Sequence, residues 1–111
     1  MLTKNNLTLL NTSILTNFGY YNYKELSLQE VKDLIELYEG FDSAIGHQST
    51  CDVLLSLLEL NVPMNRQQYS QQVGQAAIIF KLNGRPEEGV ILTAEQIEEI
   101  GYTFGLLTRL S

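Results

Sequence analysis

The stretch Ala76-Ala77-Ile78-Ile79-Phe80-Lys81-Leu82 is the clearest β-strand in the sequence. Six of its seven residues are apolar, and isoleucine and phenylalanine suit the pleated surface of a sheet. The dipeptide Asn83-Gly84, a strong turn signal, follows it directly. Residues 67–72 before it are polar with weak alternation, and a turn at Gly74 separates the two. We therefore predict that residues 67–72 pair with this strand as an edge strand.

Further strands are predicted on both sides of this stretch. Residues 7–13 are apolar enough for a central strand, and the aromatic run at residues 20–24 favours a second one. Residues 102–107 are predicted as the last strand, whereas residues 41–45 form either a brief strand or a loop. These stretches predict a central mixed β-sheet of about five strands.

Helices are predicted where a capping residue precedes an apolar period of 3.6. Ser27 begins an S-x-x-E capping box, and the helix behind it ends at Gly40. Thr93 begins a T-x-x-Q box in the same way, with its helix ending at Gly101. A third helix is predicted over residues 50–60, capped by Ser49 or Thr50 and stopped by Pro63.

Length and composition bound the kind of protein. A chain of 111 residues is expected to form one α/β domain over residues 1–111, with helices flanking the sheet. The net charge of −6 argues against binding to a long nucleic acid or to a membrane surface. The single cysteine, Cys51, is expected to be a buried thiol, which suits the reducing cytoplasm. No residue spacing is typical of a metal site.

The stretch Ala44-Ile45-Gly46-His47-Gln48-Ser49-Thr50 holds the only histidine of the chain. It lies just ahead of a predicted helix, where free amides and the positive end of the dipole favour an anion such as phosphate. Gly46 would allow a ligand to approach the backbone closely. The structural alternative is that His47 is an ordinary polar loop residue.

Other polar residues would complete an anion site. Asn11 and Ser13 lie at the carboxyl end of the first strand, where α/β sheets bind ligands. Arg85 can clamp a phosphate with two parallel hydrogen bonds, and Glu88 could orient a hydroxyl group or hold a histidine protonated. With His47 as general acid, these groups suit metal-free cleavage of a phosphodiester by its own 2′-hydroxyl.

The chain resembles the viral ring nuclease family, the anti-CRISPR enzymes directed at type III systems, with their bacterial and mobile-element relatives. The resemblance covers nearly the whole chain and rests on four motifs. They are Leu10-Asn11-Thr12-Ser13-Ile14, Ala44-Ile45-Gly46-His47-Gln48-Ser49-Thr50, Asn65-Arg66, and Arg85-Pro86-Glu87-Glu88-Gly89 with Leu92-Thr93. The resemblance implies a homodimer that binds cyclic tetra-adenylate at its subunit interface, without any cofactor. It also implies cleavage to linear di-adenylate with a 2′,3′-cyclic phosphate, which would counter type III CRISPR signalling in the cytoplasm of the host cell.

The resemblance also implies site residues. The family's general acid falls on His47, and its arginine and glutamate fall on Arg85 and Glu88. Its serine falls on Ser13, although the spacing there is shorter than in the archaeal-virus members. The ligand-binding positions expected around them are Asn11, Gly46, Ser49, Thr50 and Arg66.

One departure and two alternative functions stay open. Pro86 stands where family members carry an apolar residue other than proline, and it biases Arg85 toward an extended backbone. A protein that only sequesters a cyclic oligonucleotide would need the same binding residues without turnover. A small interaction protein would instead use its apolar helix at residues 50–60 to bind a protein partner.

Overall fold

A computed structural model describes residues 6–12, 14–84 and 92–111. Within these ranges the chain forms five strands and three helices, which alternate irregularly along the sequence. They are β1 (Leu7–Leu10), β2 (Tyr21–Leu26), α1 (Leu28–Leu37), β3 (Asp42–Ser43), α2 (Gln48–Leu58), β4 (Ala76–Leu82), α3 (Ala94–Ile100) and β5 (Tyr102–Arg109). The predicted α/β class is confirmed.

The five strands form one mixed sheet in the order β2-β5-β4-β1-β3. Strand β1 is parallel to both β3 and β4, whereas β5 is antiparallel to β4 and β2. Because β1, β3 and β4 run in one direction, their carboxyl ends meet at the same edge of the sheet. At this end of the sheet, β1 ends at Leu10, β3 at Ser43 and β4 at Leu82.

The two faces of the sheet are covered differently. Alternate side chains of the strands point to one face, where they pack with α1, α2 and α3 into the main core. The opposite face carries a smaller cluster of Leu10, Ala77, Ile79 and Leu107. The described helices all contribute to the main core, so the helices predicted to flank the sheet lie on one side of it.

Both predicted capping boxes are confirmed. The Ser27 side chain accepts from the Glu30 amide, and the Glu30 side chain accepts from the Ser27 amide. The hydrogen bond from the Ser27 amide, followed by a smaller contribution from the Ser27 hydroxyl, holds the pKa of the exposed Glu30 carboxyl below its usual range. Thr93 and Gln96 make the same reciprocal pair at the start of α3.

The predicted limits of α2 are wrong at both ends. The helix begins at Gln48, so its N-cap is His47 rather than Ser49 or Thr50, both of which lie inside the helix. It ends at Leu58 because Glu59 adopts a left-handed backbone with φ 58°, well before Pro63. Local capping preference therefore did not decide where this helix starts.

The predicted edge strand at residues 67–72 does not form, because both edges of β4 are already paired with β1 and β5. The segment instead bonds through side chains. The Gln71 amide donates to the Thr16 hydroxyl at 2.9 Å, and the buried Gln71 side chain donates to the Leu107 carbonyl at 2.9 Å. The segment thus lies beside the sheet without joining its ladder.

Other predicted bounds need smaller changes. The first strand stops at Leu10, three residues earlier than predicted, and the last strand runs two residues further, to Arg109. The brief segment at 41–45 contains the two-residue strand β3. Cys51 is buried as predicted, and burial raises the pKa of its thiol. No helix among the described residues is long and apolar enough to span a membrane.

Candidate functional site

His47 occupies the N-cap of α2 and is exposed. Its backbone is extended, with φ −130° and ψ 125°, and its imidazole makes no capping hydrogen bond. The first intrahelical bond of α2 joins the Cys51 amide to the His47 carbonyl. No described residue accepts from the amides of Gln48, Ser49 and Thr50. These three donors at the positive end of the helix dipole can bind an anion.

Arg66 lies against the backbone just before His47. Its Nη2 donates to the Gly46 carbonyl oxygen at 3.0 Å, although the two residues are 20 positions apart in the chain. A Cβ atom at position 46 would lie only 3.2 Å from Nε of Arg66. Glycine therefore permits this close approach, and the exposed guanidinium keeps further N–H groups for a ligand. We call Gly46, His47, Arg66 and the three amides the α2 N-terminal site.

Three hydrogen bonds attach the segment before and after Arg66 to the end of β3. The side-chain amides of Asn65 and Gln67 both donate to the Ser43 carbonyl at 2.9 Å. The Asn65 backbone amide donates to the Ile45 carbonyl at 2.8 Å. Because bonds lie on each side of Arg66, its backbone is held beside the loop that carries His47.

A cavity of about 280 Å³ opens at the carboxyl end of β1. We call it the β1 cavity. Part of its lining is apolar, contributed by Leu10, Ile14, Ala44 and Tyr69. The rest is polar and uncharged, contributed by Asn11, Thr12, Thr16, Gln67 and Gln68. Open α/β sheets commonly bind ligands in this position relative to their strands.

The β1 cavity and the α2 N-terminal site adjoin along two chain segments. Ala44 of the cavity lies two residues before Gly46, and Gln67 of the cavity follows Arg66 directly. A ligand with a planar base and a phosphate could therefore contact both, with its base in the cavity and its phosphate at the helix terminus.

The structure brings together six of the nine site residues predicted from sequence. Gly46, His47, Ser49, Thr50 and Arg66 belong to the start of α2 or contact it. Asn11 lines the β1 cavity. The three remaining predictions, Ser13, Arg85 and Glu88, lie outside the described residues, and the Pro86 departure lies there too.

Sequence reasoning missed most of the cavity lining, including Gln67, Gln68 and Tyr69. The available signal was the polar run that follows Asn65-Arg66, which was assigned to an edge strand. Burial raises the pKa of the Tyr69 phenol, so this side chain stays neutral and contributes no charge to the cavity.

The described residues contain no group of three histidine, cysteine, aspartate or glutamate side chains that could hold a metal ion. The described site presents imidazole, guanidinium, amide and hydroxyl groups to a ligand.

Similar proteins occur in a bacterium and in archaeal viruses. Uncharacterized protein YddF of Bacillus subtilis (strain 168) is 38% identical over 105 residues, which cover 94% of this chain and 97% of YddF. Uncharacterized protein 26 of Sulfolobus islandicus filamentous virus is 42% identical over 84 residues, covering 75% of this chain and 70% of that protein.

A solved structure supports the fold independently. B116 of Sulfolobus turreted icosahedral virus superposes with a TM-score of 0.82 at 21% sequence identity, covering 93% of this chain and 98% of B116. The family model described as STIV B116-like matches residues 7–104. The chain therefore belongs to the STIV B116-like family.

Proposed function

We propose that this protein is a metal-independent ring nuclease that cleaves cyclic tetra-adenylate to linear di-adenylate with a 2′,3′-cyclic phosphate. The cleavage would remove the second messenger of type III CRISPR defence. The observation that carries the proposal is the α2 N-terminal site, where an exposed imidazole, a guanidinium and amides without a described acceptor lie around the start of one helix. The sequence resemblance to viral ring nucleases points to the same histidine.

The phosphate is the natural ligand of this site. The amides of the first turn of α2 can donate to phosphate oxygens. Arg66 adds a positive charge at the Gly46 carbonyl, two residues before α2 begins. This local arrangement lets a chain of net charge −6 bind an anion that its average surface would repel.

The cleavage step consumes neither water nor metal. A ribose 2′-oxygen attacks the adjacent phosphorus while its proton passes to solvent, and the bond from phosphorus to the 5′-oxygen breaks. His47 donates a proton to the departing 5′-oxygen, which leaves as a hydroxyl. In the proposal, Arg85 stabilises the charge on the pentacoordinate phosphorus and Glu88 orients a hydroxyl group or keeps His47 protonated.

A homodimer suits the symmetry of this substrate. A ring of four identical nucleotides has a two-fold axis, as does an isologous dimer. Two copies of His47 could then act on two opposite phosphodiester bonds and release two identical halves. The prediction is a sedimentation mass of two chains, at least when the ring is bound.

Incubation with cyclic tetra-adenylate in EDTA tests the activity directly. We expect chromatography to show di-adenylate with a 2′,3′-cyclic phosphate accumulating at an unchanged rate when divalent metal is removed. Intact ring that stays bound to excess protein would instead favour sequestration, and a ring that neither binds nor reacts would refute both functions.

Replacing Arg66 by alanine is expected to weaken binding of cyclic tetra-adenylate by about 10- to 100-fold, which corresponds to one charge-assisted hydrogen bond. Isothermal titration at two salt concentrations measures this loss. Arg66→Lys should recover part of the affinity, because it restores the charge but not the planar fork.

The matched control for charge is Lys24→Ala, which removes one exposed positive charge from the edge strand β2. If Lys24→Ala weakens binding as much as Arg66→Ala, only the net charge matters and the placement of Arg66 against Gly46 is irrelevant.

A further inference from the structure

We propose that the β1 cavity binds the base of one nucleotide and that Gln68 reads the edge of that base. This inference rests on the proposed function only for the choice of adenine. The assignment of a base pocket, and of Gln68 to it, stands on the cavity itself.

The size and apolar lining of the cavity suit one base. Its volume is about 280 Å³, whereas pockets for larger, drug-sized ligands start at about 300 Å³. Leu10, Ala44 and Tyr69 line it and also belong to the small cluster on the helix-free face of the sheet. Every base presents an apolar face that can pack on such a surface.

The polar lining divides into groups that are already bonded and groups that are free. The side chains of Gln67 and Thr16 are engaged with the Ser43 carbonyl and with the Gln71 amide. No described residue hydrogen-bonds the side chains of Asn11 or Gln68. Among the described residues, the carboxamides of Asn11 and of the exposed Gln68 are thus available to a ligand, and Gln68 is the one that no sequence motif indicated.

At the N7 edge of a purine, a carboxamide matches adenine better than guanine. It presents a donor and an acceptor side by side, and adenine presents the complementary N6 donor and N7 acceptor. Guanine places two acceptors, O6 and N7, at the same edge, so one carboxamide oxygen would face an acceptor. With the N7 edge of the base turned to Gln68, as we propose, the cavity is expected to prefer adenine.

The lining is held in place by Gln71, which is fully buried. Its side chain donates to the carbonyls of Gln75 and Leu107, at 2.8 and 2.9 Å. Its backbone amide donates to Thr16 at 2.9 Å, so one residue connects the 67–69 and 14–16 segments of the lining. A lining held in this way loses little freedom when a ligand binds.

The test is an NMR titration of the ¹⁵N-labelled protein with adenosine, guanosine and uridine 5′-monophosphates. We expect the adenine nucleotide to shift the amide signals of Ala44, Thr16 and Tyr69, with affinity several-fold above that of the guanine nucleotide. Gln68→Ala should abolish this preference, and Gln68→Glu, which keeps the acceptor but removes the donor, should do the same. Gln29→Ala, at an exposed glutamine of α1, is the matched control and should leave the preference unchanged.

Two results would overturn the pocket. One is the absence of any shift in these amides at roughly 10 mM nucleotide, ten times a Kd of about 1 mM. The other is an unchanged preference in Gln68→Ala. The same samples separate this inference from the proposed function: nucleotide binding in the cavity without cleavage of cyclic tetra-adenylate refutes only the nuclease, and cleavage without cavity shifts refutes only the pocket.

Discussion

Replacing His47 by alanine should slow the cleavage of cyclic tetra-adenylate by about 10²- to 10⁴-fold, with binding of the ring retained. The 5′-oxygen would then leave without a proton donor, whereas the amides of α2 and Arg66 would still hold the phosphate. Single-turnover kinetics measures the rate, and titration of the variant with the ring measures the affinity.

The position of His47 makes this variant easy to interpret. The imidazole is exposed and makes no capping hydrogen bond, so alanine removes no contact on which α2 depends. His47→Ser is the sharper variant, because serine at an N-cap can accept from the first turn and stabilise the helix by up to about 1 kcal/mol. A variant that melts at a higher temperature and still binds the ring, yet cleaves it as slowly as His47→Ala, would separate catalysis from folding.

Glu36→Gln is the control, since it changes one exposed charge on α1, which packs in the main core and contributes no residue to the described site. It should cleave at the wild-type rate. If His47→Ala also cleaves at that rate, the general acid is another group and the central step of the proposal is wrong.

Replacing Phe104 by alanine should lower the free energy of unfolding by about 3–5 kcal/mol. This residue of β5 is only 2% exposed. Its ring centroid lies 5.1 Å from that of Phe80 and 5.7 Å from that of Tyr102. Alanine would leave a cavity between β4, β5 and the helices, because close-packed neighbours relax only in part. Urea denaturation followed by circular dichroism measures the loss.

Phe18→Ala is the matched control for this substitution. The Phe18 side chain is fully exposed at the described surface, so its removal should change stability by no more than about 0.5 kcal/mol. Equal losses at positions 18 and 104 would mean that the main core is not packed as described.

Features that depend on neighbours in sequence could be predicted before the structure was known. Ser27 with Glu30 and Thr93 with Gln96 cap their helices through bonds that span three residues, so the motif contains both partners. The strand β4 could likewise be predicted from its continuous apolar run, because a strand buried on both faces of a sheet needs apolar residues at successive positions.

Features that depend on distant partners could not be predicted in this way. Ser49 and Thr50 are both good capping residues, yet α2 starts at Gln48. The chain that leads into it from β3 is bonded at the Ser43 carbonyl by Asn65 and Gln67, which are more than 20 residues away in sequence. The polar segment at 67–72 reads as a strand, but whether a strand forms depends on a free sheet edge, and β4 has none.

The sequence by itself determined the α/β class, two of the three helix starts and the choice of His47 as the residue to follow. The tertiary structure decided what surrounds that histidine. It placed Arg66 against Gly46 across 20 residues of chain and brought residues 10–12, 14 and 16 together with residues 67–69 around one cavity. The physical reason is the separation in sequence between the interacting residues. The two partners of a capping bond lie within one helical turn, whereas a binding site forms only when the sheet brings the ends of separate strands together.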